Sequence, residues 1–153
     1  MKWVTREHPR TDRVACPWLI REFIDPEAEI VFMPRDQVLA YAEREGATSF
    51  DAPGATYTHR DGLCSFEVLI ADHGLGSDPA LALMARVVHG ADVSEDRDAT
   101  PQWRGLLALL DLDDQRQLEL ELPVYDALYA WAKHEVASAP RADSRGARPR
   151  APL

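Results

Sequence analysis

Apolar and polar residues in the first half of the chain predict short strands separated by helices. Apolar runs bounded by turn residues are typical of buried strands. The strands predicted in this way are Trp3–Thr5, Ile30–Met33, Thr48–Phe50 and Tyr57–His59. Apolar positions recur at helical spacing in the two segments between the first three strands. The helices predicted there are Thr11–Pro26, capped by Thr11 or Asp12, and Gln37–Glu45, capped by Asp36 and ended by Gly46.

From residue 63 onward the pattern becomes helical. Asp78 followed by Pro79 is a strong helix start, because an N-cap side chain precedes a proline at the first helical position. Leu118–Leu122 alternates apolar and acidic residues, so helix and strand both remain open there. A polar loop is expected over residues 91–99. The helices predicted in this half are Cys64–His73, Asp78–Gly90, Gln102–Leu110 and Val124–Val136, the last beginning at Pro123.

These elements predict an α+β fold, with a small early β-sheet, amphipathic helices and a mostly helical C-terminal half. At 153 residues the chain has the length of one domain. We expect that domain to span residues 1–136. Residues 137–153 are rich in alanine, proline and arginine without periodicity, which predicts a disordered tail.

Composition narrows the class of protein. A net charge of −9 disfavours direct nucleic acid binding, which needs clustered Lys and Arg. The chain has no apolar run of membrane-spanning length and no apolar core of a signal peptide near its start. Its two cysteines are too few for a disulfide scaffold. We therefore expect a cytoplasmic globular protein with no membrane partner.

The segment Thr11–Pro26 concentrates reactive side chains on one short helix. Arg13 and Arg21 are candidate ligands for an oxyanion, because a guanidinium can donate two parallel hydrogen bonds. Cys16 is a candidate redox residue, since a helix N-terminus and nearby cations would lower the pKa of its thiol. The alternative is a packed helix with a buried, inert cysteine, and the usual burial of this residue type favours it.

A second group of chemical residues surrounds a predicted strand and the helix after it. His59, Cys64 and Glu67 offer imidazole, thiolate and carboxylate ligands, and Asp51 from the preceding strand could complete the set. These residues predict a site for a divalent transition metal, with Cys64 as a second redox candidate. In the alternative interpretation, His59 is an edge-strand residue and Glu67 is a surface carboxylate.

Two histidines and an aspartate follow in the helical half. His89 lies near a helix C-terminus, where the helix dipole favours a cation, and Asp92 could point back toward the earlier site. His73 ends another predicted helix. Capping and turn roles are the simpler interpretation of all three. No phosphate-binding glycine loop, nucleophile elbow or HExxH motif is present.

Several landmarks along the chain together resemble one known family, the C-terminal domain of the chromate resistance protein ChrB. The resemblance covers about residues 1–134. The matching segments are WVTR at 3–6, DRVACPWLIREFIDP at 12–26, FDAPGA at 50–55, His59 with CSFE at 64–67, DPAL at 78–81, GAD at 90–92 and YDALYAW at 125–131. Full-length family members carry an additional N-terminal region that this sequence lacks, so we expect no direct nucleic acid binding by this chain alone.

The resemblance implies a role in chromate resistance or in the regulation of transcription in response to chromate. We therefore expect a domain that binds a small inorganic anion such as chromate, or a metal ion. One alternative is a metal-dependent redox or detoxifying enzyme centred on His59 and Glu67. Another is an interaction module that uses the acidic segments 92–98 and 111–121 and the basic tail. Whether the chain is an enzyme, and whether it forms a homodimer, stay open at this point.

Overall fold

A three-stranded parallel sheet forms the N-terminal part of the molecule. The computed structural model describes residues 1–93 and 112–139. In that part of the chain, the sheet order is β2-β1-β3, with β1 at Lys2–Arg6, β2 at Glu29–Met33 and β3 at Thr48–Ser49. Trp3 pairs with Ile30 on one side of β1 and with Thr48 on the other. Consecutive residues of β1 are buried, as expected of a parallel strand covered on both faces.

Helices make up most of the other described residues. The first helix continues from Leu19 into a π-helical segment, Ile20–Ile24, which ends the Thr11–Pro26 element two residues early. The small early sheet and the helical second half confirm the predicted α+β class. The helices are α1 at Thr11–Leu19, α2 at Val38–Glu45, α3 at Ser65–Asp72, α4 at Pro79–Val93 and α5 at Asp114–Ser138.

The predicted strand Tyr57–His59 does not form. Tyr57 makes one isolated bridge to Phe50, and the chain then turns through Asp61 and Gly62, both of which have positive φ. The chain leaves the sheet at Asp51, where φ is +43°.

The C-terminal helix is longer than the sequence pattern predicts. It begins after Asp113, whose side chain accepts a hydrogen bond from the Arg116 backbone at 3.0 Å. Leu118–Leu122 is therefore helical, and Pro123 lies inside α5 rather than at its start. The helix reaches Ser138, two residues into the predicted tail. Residues 94–111, which contain the predicted Gln102–Leu110 helix, and residues 140–153 of the tail lie outside the described residues.

Two of the predicted caps are confirmed and two are wrong. Gly46 ends α2 with φ +63°, and Asp78 Oδ1 accepts from the backbone of Ala80 at 2.8 Å. Neither α1 nor α2 has a side-chain cap at its start. Asp12 is used elsewhere, because its carboxylate bonds to the first residue of α3 instead of its own helix.

The core lies where α1 meets the sheet and the later helices. Trp18 of α1 donates from Nε1 to Asp126 of α5 at 2.8 Å and packs against Phe23 and Tyr129. Residues 14–20 are buried without interruption, so both faces of α1 are covered, and the Ser65–Asp12 hydrogen bond holds the N-terminus of α3 against it. None of the helices in residues 1–93 and 112–139 is long and apolar enough to cross a membrane.

Candidate functional site

A polar centre forms where the N-terminus of α3 meets α1 and the end of the sheet. The Ser65 backbone donates to Asp12 Oδ2 at 2.8 Å, and Ser65 Oγ donates to Asp51 Oδ1 at 2.9 Å. The first turn of a helix presents backbone N–H groups without partners in the helix and a partial positive charge. Both effects stabilise carboxylates there, so α3 brings together two aspartates that are distant in sequence.

Asp51 is held by two arginines. Arg6 donates from Nε to the Asp51 carbonyl at 2.7 Å and from Nη2 to Oδ2 at 3.0 Å, and Arg13 Nε lies 3.6 Å from the same carboxylate oxygen. Burial raises the pKa of Asp51, and the neighbouring Asp12 raises it further, while Arg6 and Ser65 act in the opposite direction. The two guanidiniums thus neutralise a buried carboxylate.

His59 reaches into this group of carboxylates from the solvent side. Its Nε2 lies 3.2 Å from Asp92 Oδ2, 3.3 Å from Asp12 Oδ2 and 3.6 Å from Asp51 Oδ1. The hydrogen bond to Asp12 and the nearby negative charges raise the pKa of His59. The His59 side chain is 47% exposed, whereas that of Asp12 is fully buried. Within the described residues, Asp12 Oδ1 is buried without a hydrogen-bond partner.

A second group of polar side chains begins at Cys64, the residue before Ser65. Glu67 Oε2 accepts from the Cys64 backbone at 2.9 Å and lies 2.6 Å from Nδ1 of His89. Although burial acts to raise it, the pKa of Glu67 is lowered by the hydrogen bonds from His89 and Cys64. Ligand atoms of Cys64, Glu67 and His89 all lie within 4.8 Å of one another, as do those of Asp12, His59 and Asp92.

The predicted metal ligands His59, Cys64, Glu67 and Asp51 are therefore divided between two neighbouring groups. His59 and Asp51 face Asp12 and Asp92. Cys64 and Glu67 face His89. Helix α4 serves both groups, since His89 and Asp92 are three residues apart and lie on adjoining faces of one helix.

The two predicted anion ligands lie in different surroundings. Arg13 belongs to the polar centre, where it also donates to the Glu7 carbonyl at 3.2 Å. Arg21 lies in the π-helical segment, donates to the Ala28 carbonyl at 3.3 Å and lines an open cavity beside β2. Arg13 is thus engaged by protein oxygens, whereas Arg21 is bonded through Nε alone, and the anion-binding role of both residues stays a prediction.

Both cysteines are buried free thiols. Burial raises the pKa of Cys16 well above its ordinary value, and the carboxylates of Asp12 and Asp51 raise it further. Burial likewise raises the pKa of Cys64. The pKa of Cys16 is thus shifted in the direction opposite to the one expected, because the thiol is removed from water and faces carboxylates. The redox role of both cysteines stays a prediction.

Arg6 and Ser65 are part of the centre and were not identified from the sequence. Arg6 is the last residue of β1, and a side chain that leaves the carboxyl end of a parallel strand is a general sign of a site. Ser65 gave no comparable signal. The expectation that Asp92 points back toward the early site agrees with its 3.2 Å distance from His59.

Comparison with known proteins identifies the family. The family model described as ChrB, C-terminal domain, matches residues 3–132. The chain is similar to Protein ChrB of Cupriavidus metallidurans, with 44% identity over 92 residues that cover 60% of this chain and 27% of that protein. The chain thus spans much less than the whole of this curated relative. No solved structure matches. The match over nearly all the described residues shows that the chain belongs to the ChrB C-terminal domain family.

Proposed function

We propose that this chain is the ion-binding domain of a chromate-response protein, and that the ion it binds is a divalent transition metal held by Asp12, His59 and Asp92. Membership in the ChrB family supports the chromate-response role. The choice of a metal over an oxyanion rests on the charges and contacts of the polar centre.

The charge of the centre favours a cation. Three carboxylates, from Asp12, Asp51 and Asp92, converge there, while Arg6 and Arg13 supply two positive charges, both at Asp51. A chromate dianion placed beside His59 would face three aspartates, and like charges at this distance repel strongly in a partly buried site. A cation at the same position would be attracted by all of them.

The observation that carries the proposal is the buried Asp12 Oδ1, which has no hydrogen-bond partner in the described residues. A buried acceptor without a hydrogen-bond partner costs the free energy of removing it from water, and nothing in the protein compensates for that loss. Such acceptors are therefore rare in folded proteins unless an ion or a water molecule binds them. His59 Nε2 lies beside the other oxygen of the same carboxylate. Imidazole and carboxylate ligands suit zinc, iron, cobalt, nickel and manganese.

The test is calorimetric titration with manganese, cobalt, nickel and zinc, together with thermal unfolding. We expect saturable binding of at least one ion and a melting temperature that rises with its concentration. Asp92→Asn should weaken binding at least tenfold, because it removes one charged ligand without disturbing the Ser65–Asp12 hydrogen bond. Asp36→Asn, an exposed aspartate before α2, is the matched control and should bind as the original chain does.

Two results would overturn the proposal. One is that none of these ions binds or raises the melting temperature, whereas chromate or sulfate does. The other is that Asp92→Asn and His59→Ala bind the ion as tightly as the unaltered chain.

A second candidate function is a metal-dependent redox enzyme acting on chromate. The half-exposed His59 side chain favours it, because the solvent side of the centre would be open to a further ligand of a bound metal. Metal-loaded protein supplied with a reductant should then consume chromate faster than the Asp92→Asn variant does. Equal rates for the two proteins would rule out the enzyme and leave ion binding as the proposed function of the centre.

A further inference from the structure

We propose that Cys64, Glu67 and His89 form a second metal site, which takes a thiophilic divalent ion such as Zn²⁺ or Co²⁺. This site shares no ligand with the Asp12–His59–Asp92 centre and is tested separately from it. Three different types of ligand atom meet there: Cys64 and Glu67 come from the start of α3, and His89 comes from near the end of α4.

The geometry brings the three donors together before any ion binds. Cys64 is the N-cap of α3 and Glu67 is the third residue of the same helix, so each is fixed by the capping hydrogen bonds of that turn. His89 approaches from α4, with Nδ1 2.6 Å from Glu67 Oε2. The Cys64 backbone donates to the same Glu67 oxygen at 2.9 Å. One ligand atom from each residue lies within 4.8 Å of the others.

The presence of cysteine at this position is itself informative. Ser, Thr, Asp and Asn are the strong N-cap residues, because an oxygen accepts well from backbone N–H groups. Sulfur is a weaker acceptor, yet Cys64 fills the cap and accepts from the Glu67 backbone. Serine would satisfy this turn better, so capping alone does not account for a buried thiol beside a carboxylate and an imidazole.

Binding of an ion to these three residues would release a proton. Metal ligands must be deprotonated, so a divalent cation would bind the thiolate of Cys64, the carboxylate of Glu67 and the neutral imidazole of His89, and the thiol proton would pass to solvent. The exposure of His89, at 35%, provides a route from solvent to the buried sulfur.

The donor set determines which ion is expected. Sulfur and imidazole select zinc-like ions over magnesium and calcium, which prefer oxygen ligands. Three protein ligands leave a coordination position open, as in zinc sites that bind water or substrate. The Asp12–His59–Asp92 centre has only oxygen and nitrogen donors, so a sulfur-dependent signal belongs to the second site alone.

Cobalt titration of the full chain, followed by absorption spectroscopy, tests the proposal. Thiolate coordination gives a charge-transfer band in the near ultraviolet that oxygen and nitrogen ligands do not give. We expect this band to saturate, to be absent in Cys64→Ser and to disappear when zinc is added. Cys64→Ser keeps a good helix cap, so the variant should fold. Cys16→Ser is the matched control, as a second buried thiol in the same chain.

A band that is absent from the unaltered chain, that persists in Cys64→Ser or that is lost in Cys16→Ser would overturn the second site. His89→Ala should weaken the apparent affinity for cobalt at least tenfold, and unchanged affinity would contradict the assignment. The band should survive Asp92→Asn. This variant reports on the proposed function, so failure of either site is recognised independently of the other.

Discussion

Glu121 is a carboxylic acid held inside the protein on α5. It is 3% exposed, and Gln117 Nε2 donates to its Oε1 at 2.9 Å. Burial raises the pKa of Glu121 to about 7, although the hydrogen bond from Gln117 lowers it in part. The folded protein therefore keeps this proton to about pH 7, whereas the unfolded chain loses it near 4.5. Because the folded state binds more protons in this window, stability falls as the pH rises from about 4.5 to about 7.

Glu121→Gln should remove this dependence. The amide keeps an acceptor for Gln117 and carries no charge to desolvate. We expect the free energy of unfolding at about pH 8 to rise by on the order of 2–3 kcal/mol, and to change little below about pH 4.5. Urea denaturation at the two pH values measures this. Glu119→Gln, on the exposed side of α5, should show no such difference, and equal behaviour of both variants would contradict the prediction.

At the scale of elements, α4 and α5 are joined by one aspartate. Asp78 caps α4 through Oδ1, and its Oδ2 accepts from the Tyr129 hydroxyl of α5 at 2.7 Å. This interaction and burial raise the pKa of Tyr129 to about 12. The Asp78–Pro79 start signal was predicted from the sequence because capping is local. The contact with Tyr129 was not, since it depends on how two helices distant in sequence pack.

Asp78→Ala should lower the free energy of unfolding by about 2 kcal/mol, because a cap and a hydrogen bond to a charged group are both lost. Tyr129→Phe should lower it by about 1 kcal/mol. The double variant should be less destabilised than the two single changes added together. Chemical denaturation of all three variants measures the coupling. Strict additivity would show that the hydroxyl and the carboxylate do not interact in solution.

At the scale of the whole molecule, Asp51 joins the sheet to the helices around the polar centre. It contacts Arg6 at the end of β1, Arg13 of α1 and Ser65 of α3. Its side chain is 7% exposed, so the two guanidiniums depend on it for neutralisation. Removal of one partner from a buried ion pair is costly because the remaining charge stays desolvated.

Asp51→Ala should therefore destabilise the fold by about 3 kcal/mol. Asp36→Ala, at an exposed position before α2, should change stability by less than about 0.5 kcal/mol and is the matched control. Thermal and urea unfolding measure both. A loss at Asp51 no larger than that at Asp36 would show that the two arginines are well solvated.

Local signals in the sequence determined the kind of structure and the family. Gly46 ends α2 and Asp78 begins α4, because a left-handed residue and an N-cap act within one turn of chain. Apolar periodicity predicted the parallel-strand segments β1 and β2 for the same reason. The same periodicity did not decide between helix and strand at Leu118–Leu122. The buried face of α5 carries polar residues such as Gln117, so its buried and exposed faces differ little in hydrophobicity.

Only the tertiary structure decided which side chains meet. The centre depends on the backbone of Ser65 bonding to Asp12, 53 residues away, and on α4 placing Asp92 beside His59 and His89 beside Glu67. Spacing along the chain predicted a single set of metal ligands that contained both His59 and Cys64, because the two residues are near in sequence. The turn at residues 60–63 and the docking of α3 direct them to different groups instead. Burial, which no local pattern specifies, placed Cys16 in the core.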